Sequence, residues 1–317
     1  RKPQRRRLGG IALGSFATVY LPPDQDPSQV CGRLLSLRGI ELALPREAAA
    51  RRFELPPDRI GDVVLTTPAI ESVRKNFPQA RVTVLASLLT RDLIKGNPYV
   101  NEVLIDDRLG KHKGVRGFWQ LAGDLKRRRF DLAIIFHTKK RANLLCFWAR
   151  IPERAGYRDK NFGFLLTRGF IDERHFGGKH ESEYCLDLLR AMGLKVERPS
   201  MFLPLQPDAE QWVNDWLKNN SLDSFSKLVA VHPGASDSTK RWPVRSFAQL
   251  IDQLVSRHGC SVVLCGGKET VALAQEIRSQ STQPFLDVTG KTTVAQSASL
   301  LKRCRLLISN DSGPVHV

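Results

Sequence analysis

A polar segment at residues 232–243 holds the residue types that bind phosphate: small residues, hydroxyl groups and two adjacent cations. An apolar strand pattern at residues 228–231 precedes it, and a helical pattern follows it. A loop in this position directs backbone N–H groups and the positive end of a helix dipole at an anion. The sequence therefore predicts a diphosphate-binding loop that uses His232, Gly234 and Lys240. For Lys240, a solvated surface lysine is the alternative.

Asp62 is a second candidate, because a carboxylate between a predicted strand and a predicted helix can act as a general base. A general base takes a proton from a hydroxyl in the transition state when it lies within hydrogen-bond reach. The same position also suits an Asp that caps the N–H groups at a helix start. Position alone leaves both interpretations open.

Two further segments follow predicted strands and contain glycine turns. The pair Gly266-Gly267 permits close backbone approach. Glu269 would then contact ribose hydroxyls or simply lie in the first turn of the next helix. In the other segment, Asp311 could bind sugar hydroxyls, while the N–H groups of Ser312 and Gly313 could bind a phosphate.

From about residue 53 the apolar residues alternate between strand and helix patterns, which is typical of parallel, doubly wound sheets. Strands are predicted at residues 52–55, 81–86, 102–105, 131–136, 227–231, 261–265, 285–288 and 306–309. The first helix is predicted at residues 67–77, with Pro68 in its first turn. The candidate segments then lie at the carboxyl ends of strands, where ligands bind in such sheets.

The chain divides into three predicted parts. Residues 1–52 are basic, have little periodicity and are expected to form a poorly ordered extension. Residues 53–200 and 201–317 are expected to form two Rossmann-like domains, joined where three prolines punctuate the sequence. Basic residues and an apolar stretch near the start resemble a signal peptide, but the later segments favour cytosolic substrates.

The composition favours anionic partners. Among 317 residues, 49 Lys and Arg against 32 Asp and Glu give a net charge of +17, which suits phosphates, acidic lipid surfaces or nucleic acid. The six cysteines form no C-x-x-C pair, so a zinc site is not expected. A reducing compartment is expected instead. No apolar run reaches the ~20 residues that span a bilayer.

Together these segments resemble glycosyltransferase family 9, the ADP-heptose:lipopolysaccharide heptosyltransferases. The resemblance runs from about Asp58 to the end of the sequence. The segments that carry it are residues 58–62, 67–70, 154–157, 180–181, 232–234, 240–243, 266–267 and 311–316. Such an ordered set is specific for the family but not for one acceptor.

The resemblance implies an inverting, metal-independent enzyme of the GT-B fold, with two Rossmann-like domains and a cleft between them. Asp62 would be the catalytic base, Lys240 would hold the nucleotide diphosphate, and Glu269 would contact the ribose. Asp311, Ser312, Gly313 and His316 would grip the donor sugar and its phosphates. No cofactor and no metal is expected.

The expected donor is a nucleotide-diphosphate sugar such as ADP-heptose, bound by the second domain. The expected acceptor is a lipopolysaccharide core or lipid A precursor, bound by the first domain at the cytoplasmic face of the inner membrane, with peripheral membrane contact. Lys139, Lys140 and Arg141, which follow the strand at residues 131–136, are the candidate acceptor contacts. A solvated helix start is the alternative for these three.

Departures from the family pattern and two rival functions complete the expectations. The chain has an extra leader, a first strand followed by Pro56-Pro57, and an end at Val317, so a truncated second domain of low activity is expected. One rival is another GT-B enzyme, a hexose transferase or a nucleotide-sugar epimerase. The other is a nucleic-acid-binding protein, which the spread of the charge and the aromatic content of 8% disfavour.

Overall fold

The computed structural model describes residues 11–13, 17–19, 51–55, 60–137, 139–159, 161–197, 199–222, 227–235, 240–310 and 312–316. The chain separates into two compact units, residues 1–46 and 47–317. In the first unit, β1 (Ile11–Leu13) pairs antiparallel with β2 (Ala17–Val19). Most of the predicted extension lies outside the described residues, and its last two residues, Arg51 and Arg52, belong to a sheet strand of the second unit.

The first sheet of the second unit is entirely parallel. Its strands are β3 (Arg51–Leu55), β4 (Arg81–Ser87), β5 (Glu102–Asp106), β6 (Leu132–Ile135), β7 (Glu153–Tyr157) and β8 (Arg168–Phe170). They lie in the order β5-β4-β3-β6-β7-β8. The chain therefore winds outward from β3 in one direction and returns to wind outward from β6 in the other, which makes the β3–β6 junction a topological switch point.

The helices around this sheet are α1 (Ile60–Asn76), α2 (Gly114–Arg127), α3 (Lys140–Trp148) and α4 (Glu181–Ala191). Strand β6 is buried along its whole length, as expected for a parallel strand covered on both faces. The sequence did not predict β7 and β8, because their polar and glycine residues dilute the apolar signal.

The second sheet repeats this winding pattern. Its parallel strands are β9 (Leu228–His232), β10 (Ser261–Leu264), β11 (Leu286–Asp287) and β12 (Leu306–Ser309). They lie in the order β11-β10-β9-β12, with a second switch point between β9 and β12. The accompanying helices are α5 (Pro207–Asn219), α6 (Val244–His258), α7 (Val271–Gln280) and α8 (Val294–Arg303). The predicted α/β class with two Rossmann-like sheets is confirmed.

Helix α1 begins at Ile60, seven residues before the predicted start at residue 67. Gly61 and Asp62 therefore lie in its first turn rather than in a loop before it. The helix is buried nearly all round from Val63 to Val73. A helix buried in this way lacks the one-sided apolar stripe by which sequence patterns are recognised.

Pro68 lies inside α1, which corrects its predicted place in the first turn. Proline has no N–H, so the carbonyl of Val64 loses its helical donor. The Thr67 hydroxyl replaces that donor, with 2.7 Å between Thr67 Oγ1 and Val64 O. The same hydroxyl accepts from the Phe202 N–H at 3.2 Å. The helix continues through a proline because the preceding side chain satisfies the freed carbonyl.

None of the helices in the described part of the chain combines the length and the apolar character needed to cross a bilayer. The five described cysteines are free thiols.

Candidate active site

The candidate residues gather at the two switch points. In the first sheet, Asp62 follows β3 and His137 follows β6. In the second sheet, His232 ends β9 and Asn310 follows β12. Open α/β sheets bind ligands outside the carboxyl ends of the strands at such points. The topology therefore supports the sequence-based choice of segments.

The first turn of α1 packs against the 3₁₀ turn Gly313–His316. A Cβ atom placed on Gly61 would lie 2.7 Å from Cδ2 of His316 and 3.6 Å from Cα of Gly313. Only a glycine lets the histidine ring approach so closely. Asp62 is the next residue along the helix and is half-buried, so the helical turn that carries the predicted base packs against the turn that carries two predicted donor contacts.

His232 supports the start of the predicted phosphate-binding loop, residues 232–243. Its side chain is buried, and Nδ1 lies 2.9 Å from the carbonyl oxygen of Cys265. A carbonyl can only accept, so Nδ1 carries the proton. A Cβ on Gly234 would lie 3.0 Å from His232 Nε2 and 3.1 Å from Thr270 Oγ1. Burial lowers the pKa of His232, so the ring is neutral where it supports the backbone of Gly234.

Asn310 ties the two ends of this loop together. Its side-chain Nδ2 donates to Pro233 O at 2.7 Å, and its Oδ1 accepts from the Trp242 N–H at 3.0 Å. Its own N–H points at His232 O at 3.4 Å. The segment at residues 236–239, which lies between these ends, falls outside the described residues. Asn310 is buried, and these contacts give it a positioning role that residue spacing did not predict.

An open pocket of about 520 Å³ lies beside this tie. Its lining residues come from the phosphate loop, the start of α6 and the end of β12: Lys240, Arg241, Trp242, Phe247, Ile308, Ser309 and Asn310. Lys240 and Arg241 are exposed and make the rim basic. The volume falls within the ~300–1,000 Å³ of small-molecule sites, so a nucleotide can be accommodated.

Trp242 is half-exposed, and its ring packs edge-on against Phe247 with 5.2 Å between ring centroids. Trp242 therefore packs on the first turn of α6. Arg241 donates from two guanidinium nitrogens to Ala235 O, at 3.2 and 3.0 Å. The guanidinium therefore joins the two described ends of the predicted phosphate-binding loop.

Glu269 lies in the 3₁₀ turn Lys268–Thr270 after the glycine pair. Gly266 has a φ of 149°, a conformation that favours glycine. The Glu269 carboxylate folds back over Gly267, because a Cβ there would lie only 2.4 Å from Oε2. Its predicted contact with a ribose stays a prediction.

Three of the predicted donor contacts that follow β12 are described: Ser312, Gly313 and His316. Ser312 Oγ lies 3.2 Å from Ser309 Oγ, and Gly313 opens the 3₁₀ turn that faces α1. The predicted role of Asp311 falls on a position outside the described residues.

Arg141 is committed to a structural ion pair. Its Nε and one terminal nitrogen each lie 2.8 Å from an oxygen of Asp106. Burial would raise the pKa of Asp106, but the hydrogen bonds from Arg141 and Arg108 outweigh it and hold the pKa below its ordinary value. Lys139 precedes α3 and Lys140 begins it. For these two lysines, acceptor binding stays a prediction, whereas this geometry occupies the Arg141 guanidinium elsewhere.

Arg174 organises a cluster of polar contacts at the start of α4, a role that no sequence pattern indicates. It donates to Glu181 Oε1 at 2.6 Å, to Asp172 Oδ1 at 3.2 Å and to Phe136 O at 3.1 Å. Its guanidinium carbon lies 4.7 Å from the Tyr157 ring centroid. No local pattern marks such a residue, because its partners come from segments that only the fold brings together.

Three potential metal ligands lie next to Arg174, but they suit a hydrogen-bonded cluster better than a metal. The ligand atoms of His137, Glu181 and Cys185 all lie within 4.8 Å of one another. Arg174 already binds Glu181 and lies 3.8 Å from Cys185 Sγ. Burial raises the pKa of Cys185 to about 12, so it stays a thiol. Burial, together with the charge of Arg174, lowers the pKa of His137 to about 3.

This cluster connects directly to the turn that carries Asp62. The Thr66 hydroxyl donates to Asp62 O at 2.7 Å and lies 4.0 Å from Cys185 Sγ. His180, which precedes α4, has its ring centroid 6.4 Å from that of His316. The starts of α1 and α4 and the turn after β12 therefore converge on one site.

Solved structures share this fold. The glycosyl transferase family 9 protein from Veillonella parvula superposes with a TM-score of 0.79 at 25% identity, covering 84% of this chain and 78% of that one. Escherichia coli ADP-heptose lipopolysaccharide heptosyltransferase II gives 0.69 at 23% identity, covering 83% and 80%. An E. coli heptosyltransferase with ADP-2-deoxy-2-fluoro heptose gives 0.64 at 14% identity, covering 84% of each chain. The predicted GT-B-type architecture is confirmed.

Sequence comparisons agree with the structural ones. Lipopolysaccharide heptosyltransferase 2 of Salmonella typhimurium is 28% identical over 272 residues, which cover 82% of this chain and 77% of that protein. Lipopolysaccharide heptosyltransferase 3 of E. coli is 26% identical over 263 residues, which cover 81% and 76%. The profile of glycosyltransferase family 9 (heptosyltransferase) matches residues 118–317. The chain therefore belongs to glycosyltransferase family 9, and it is a glycosyltransferase.

Proposed function

We propose that this enzyme transfers a heptose, or a related sugar, from an ADP-sugar to a lipopolysaccharide core acceptor, with inversion at the anomeric carbon. The observation that carries the proposal is the contact between the first turn of α1, which contains Asp62, and the turn Gly313–His316. The lipopolysaccharide heptosyltransferases among its relatives support the acceptor. The related fold solved with an ADP-heptose analogue supports the donor.

In the proposed reaction, an acceptor hydroxyl attacks the anomeric carbon from the face opposite the diphosphate. Asp62 takes the hydroxyl proton as the new C–O bond forms. The bond from the anomeric carbon to the diphosphate oxygen breaks, and ADP leaves with the electron pair. Because Asp62 lies in the first turn of α1, the positive end of the helix dipole stabilises its carboxylate form before the transfer.

The leaving diphosphate gains negative charge in this step, and the phosphate loop is the proposed stabiliser. Lys240 and the N–H groups near Gly234 and Ser312 would bind the phosphate oxygens, and the basic rim of the pocket would supply the charge that metal ions supply in other transferases. His232 would act from beneath the loop by fixing the backbone of Gly234.

The acceptor would approach from the first sheet. Lys139 and Lys140, at the start of α3, are the proposed contacts for its anionic groups. An acceptor held by a lipid implies that the enzyme works in peripheral contact with the cytoplasmic face of the inner membrane. The net charge of +17 supports such a contact.

The decisive variant is Asp62→Asn, which keeps the shape of the side chain but removes the base. Transfer from ADP-heptose to a core acceptor should fall in kcat by about 10²–10⁴-fold, the usual contribution of a general base. Affinity for ADP should stay unchanged. Asp208→Asn is the matched control, because Asp208 is also an acidic residue in the first turn of a helix, α5, but lies far along the chain from the site. It should keep the parental kcat.

Two results would count against the proposal. If Asp62→Asn keeps most of its kcat, Asp62 is a structural residue of α1 and not the base. If NMR of the product shows that the anomeric configuration is retained, the single inverting displacement is wrong. Replacing ADP-heptose by other nucleotide sugars in the same assay identifies the donor.

A further inference from the structure

Helices α2 and α3, which accompany the first sheet, and the turn before α2 expose apolar and basic side chains together. We define this aromatic–basic face by the apolar residues Leu109, Val115, Trp119 and Trp148 and by three exposed cations, Lys111, Lys113 and Arg116. Leu109 is 91% exposed at the tip of the turn before α2, and Val115 is 74% exposed in the first turn of that helix. Single exposed aliphatic side chains are common, but exposed apolar residues that lie together and are bordered by charged groups mark an interaction site.

The face is continuous across two helices. Val115 and Trp119 are four residues apart on α2, so they share one side of it. Leu121 and Leu125 occupy the opposite side and are buried. The Trp119 ring packs edge-on against Trp148 at the end of α3, with 4.7 Å between ring centroids. Both indoles remain 47% exposed.

The three cations of this face form no ion pairs with the described carboxylates. Asp107 accepts hydrogen bonds from the N–H groups of Gly110 and Lys111, at 2.9 and 3.0 Å, and so stabilises the turn itself. Among the described residues, Lys111, Lys113 and Arg116 have no carboxylate within ion-pair distance. The three cations therefore border the exposed indoles and aliphatic groups, while the Asp107 carboxylate is engaged by the N–H groups of its own turn.

We propose that this face docks on a bilayer that contains anionic lipids. Tryptophan rings favour the headgroup level of a membrane, and nearby cations are attracted to anionic lipids. A nucleic acid would also attract the cations, but it offers nothing to Leu109 and Val115, whereas the acyl boundary does. The face thus matches both parts of an anionic lipid surface.

This inference rests on the proposed function in one respect, the lipid-held acceptor, and it adds an orientation. Helix α3 runs from Lys140 to Trp148, a span of about 12 Å at 1.5 Å per residue. One end of the helix would contact the membrane while the other carries a proposed acceptor lysine. The docked enzyme would then hold its acceptor side within reach of a lipid-anchored sugar.

Flotation of the intact chain with vesicles tests the proposal, using phosphatidylcholine alone and phosphatidylcholine with phosphatidylglycerol. The parent should bind only the anionic vesicles. Lys113→Gln with Arg116→Gln should weaken binding about tenfold or more, because each cation near the surface contributes measurably. Leu109→Ser should weaken it about fivefold through lost apolar burial, with no effect on folding. The matched pair Lys218→Gln and Arg257→Gln, two exposed cations on α5 and α6, should change binding less than about twofold.

The outcomes separate this proposal from the proposed function. The docking face would be refuted if the Lys113→Gln/Arg116→Gln variant and the Lys218→Gln/Arg257→Gln variant lost vesicle binding equally. It would also be refuted if the chain bound only a soluble polyanion such as heparin. Each variant is also assayed for heptose transfer to a delipidated core acceptor, where kcat should stay at the parental level. Transfer without any vesicle binding would leave the function intact and refute the docking face. If the parent binds vesicles, the variants lose that binding, and the parent transfers no heptose, the docking face is supported and the proposed function is refuted.

Discussion

Replacing Asn310 by alanine removes the tie that closes the phosphate loop. Two side-chain hydrogen bonds disappear, one to Pro233 O at 2.7 Å and one from the Trp242 N–H at 3.0 Å. The first joins buried groups, so its loss leaves a buried carbonyl without a donor. With about 1 kcal/mol for the bond from the Trp242 N–H and about 1–3 kcal/mol for the buried Pro233 carbonyl that loses its donor, the free energy of unfolding should fall by about 2–4 kcal/mol.

The effect on the ligand should exceed the effect expected from stability alone. The tie sets the spacing between the two ends of a loop that is proposed to contact a diphosphate. If about 1.4 kcal/mol of the loss appears as loop disorder in the free enzyme, the Kd for ADP rises about tenfold. Calorimetry with ADP measures this rise, and a melt should show Tm lower by about 5–10 °C.

Asn220→Ala is the matched control. Asn220 Nδ2 donates to Trp216 O at 2.8 Å at the end of α5, so the variant loses an Asn hydrogen bond away from the loop. It should lower stability by about 1 kcal/mol and leave the ADP affinity unchanged. If Asn310→Ala binds ADP as the parent does, the tie supports the fold but not the ligand. If its Tm is also unchanged, the assignment of these two hydrogen bonds is wrong.

Three further predictions address other parts of the site. Gly61→Ala should lower kcat by about tenfold or more, because the new Cβ would lie 2.7 Å from His316 Cδ2 and displace that ring. Stability should stay nearly unchanged, because alanine favours the helix by about 1 kcal/mol over glycine. A kcat at the parental level would show that the contact is not needed. Lys240→Ala should raise the Kd for ADP about tenfold or more through loss of a charge-assisted bond, and EDTA should not alter the parental Kd; loss of binding in EDTA would refute the metal-independent site. Burial lowers the pKa of His137 from 6.5 to about 3. Between these two pH values His137 is protonated in the unfolded chain but not in the folded chain, so the free energy of unfolding falls as the pH drops from about 6.5 toward about 3. His137→Gln should therefore lose less Tm than the parent between pH 7 and pH 4, and parallel Tm profiles would contradict the shift.

The sequence predicted what short-range patterns encode. Residues 228–231 are apolar throughout because β9 is covered on both faces, and such a run is recognisable without the structure. The alternation of strands and helices then implied the parallel sheets, and the carboxyl ends of the strands implied the places of Asp62 and Lys240. These inferences need only neighbouring residues.

Features that depend on distant partners were missed. Helix α1 continues through Pro68 because the Thr67 hydroxyl satisfies the Val64 carbonyl, and the N–H of Phe202, 135 residues away, donates to that same hydroxyl. Arg174 acquires its role from Phe136, Glu181 and Tyr157, which no spacing rule connects. Arg141 looked like a surface cation because its buried partner, Asp106, lies 35 residues earlier. Each of these features has the same physical origin, a polar group whose partner belongs to another element.

The contact between Gly61 and His316 also bears on the order in which the molecule acquires its properties during folding. The two residues meet although almost the whole of the second unit lies between them along the chain. Each sheet winds from local strand–helix–strand steps, which form quickly, whereas closing so long a loop is slow and comes after them. Refolding should therefore restore circular dichroism and tryptophan fluorescence before it restores turnover. The last phase of recovery would report the docking of the turn Gly313–His316 onto α1 and not the formation of either sheet.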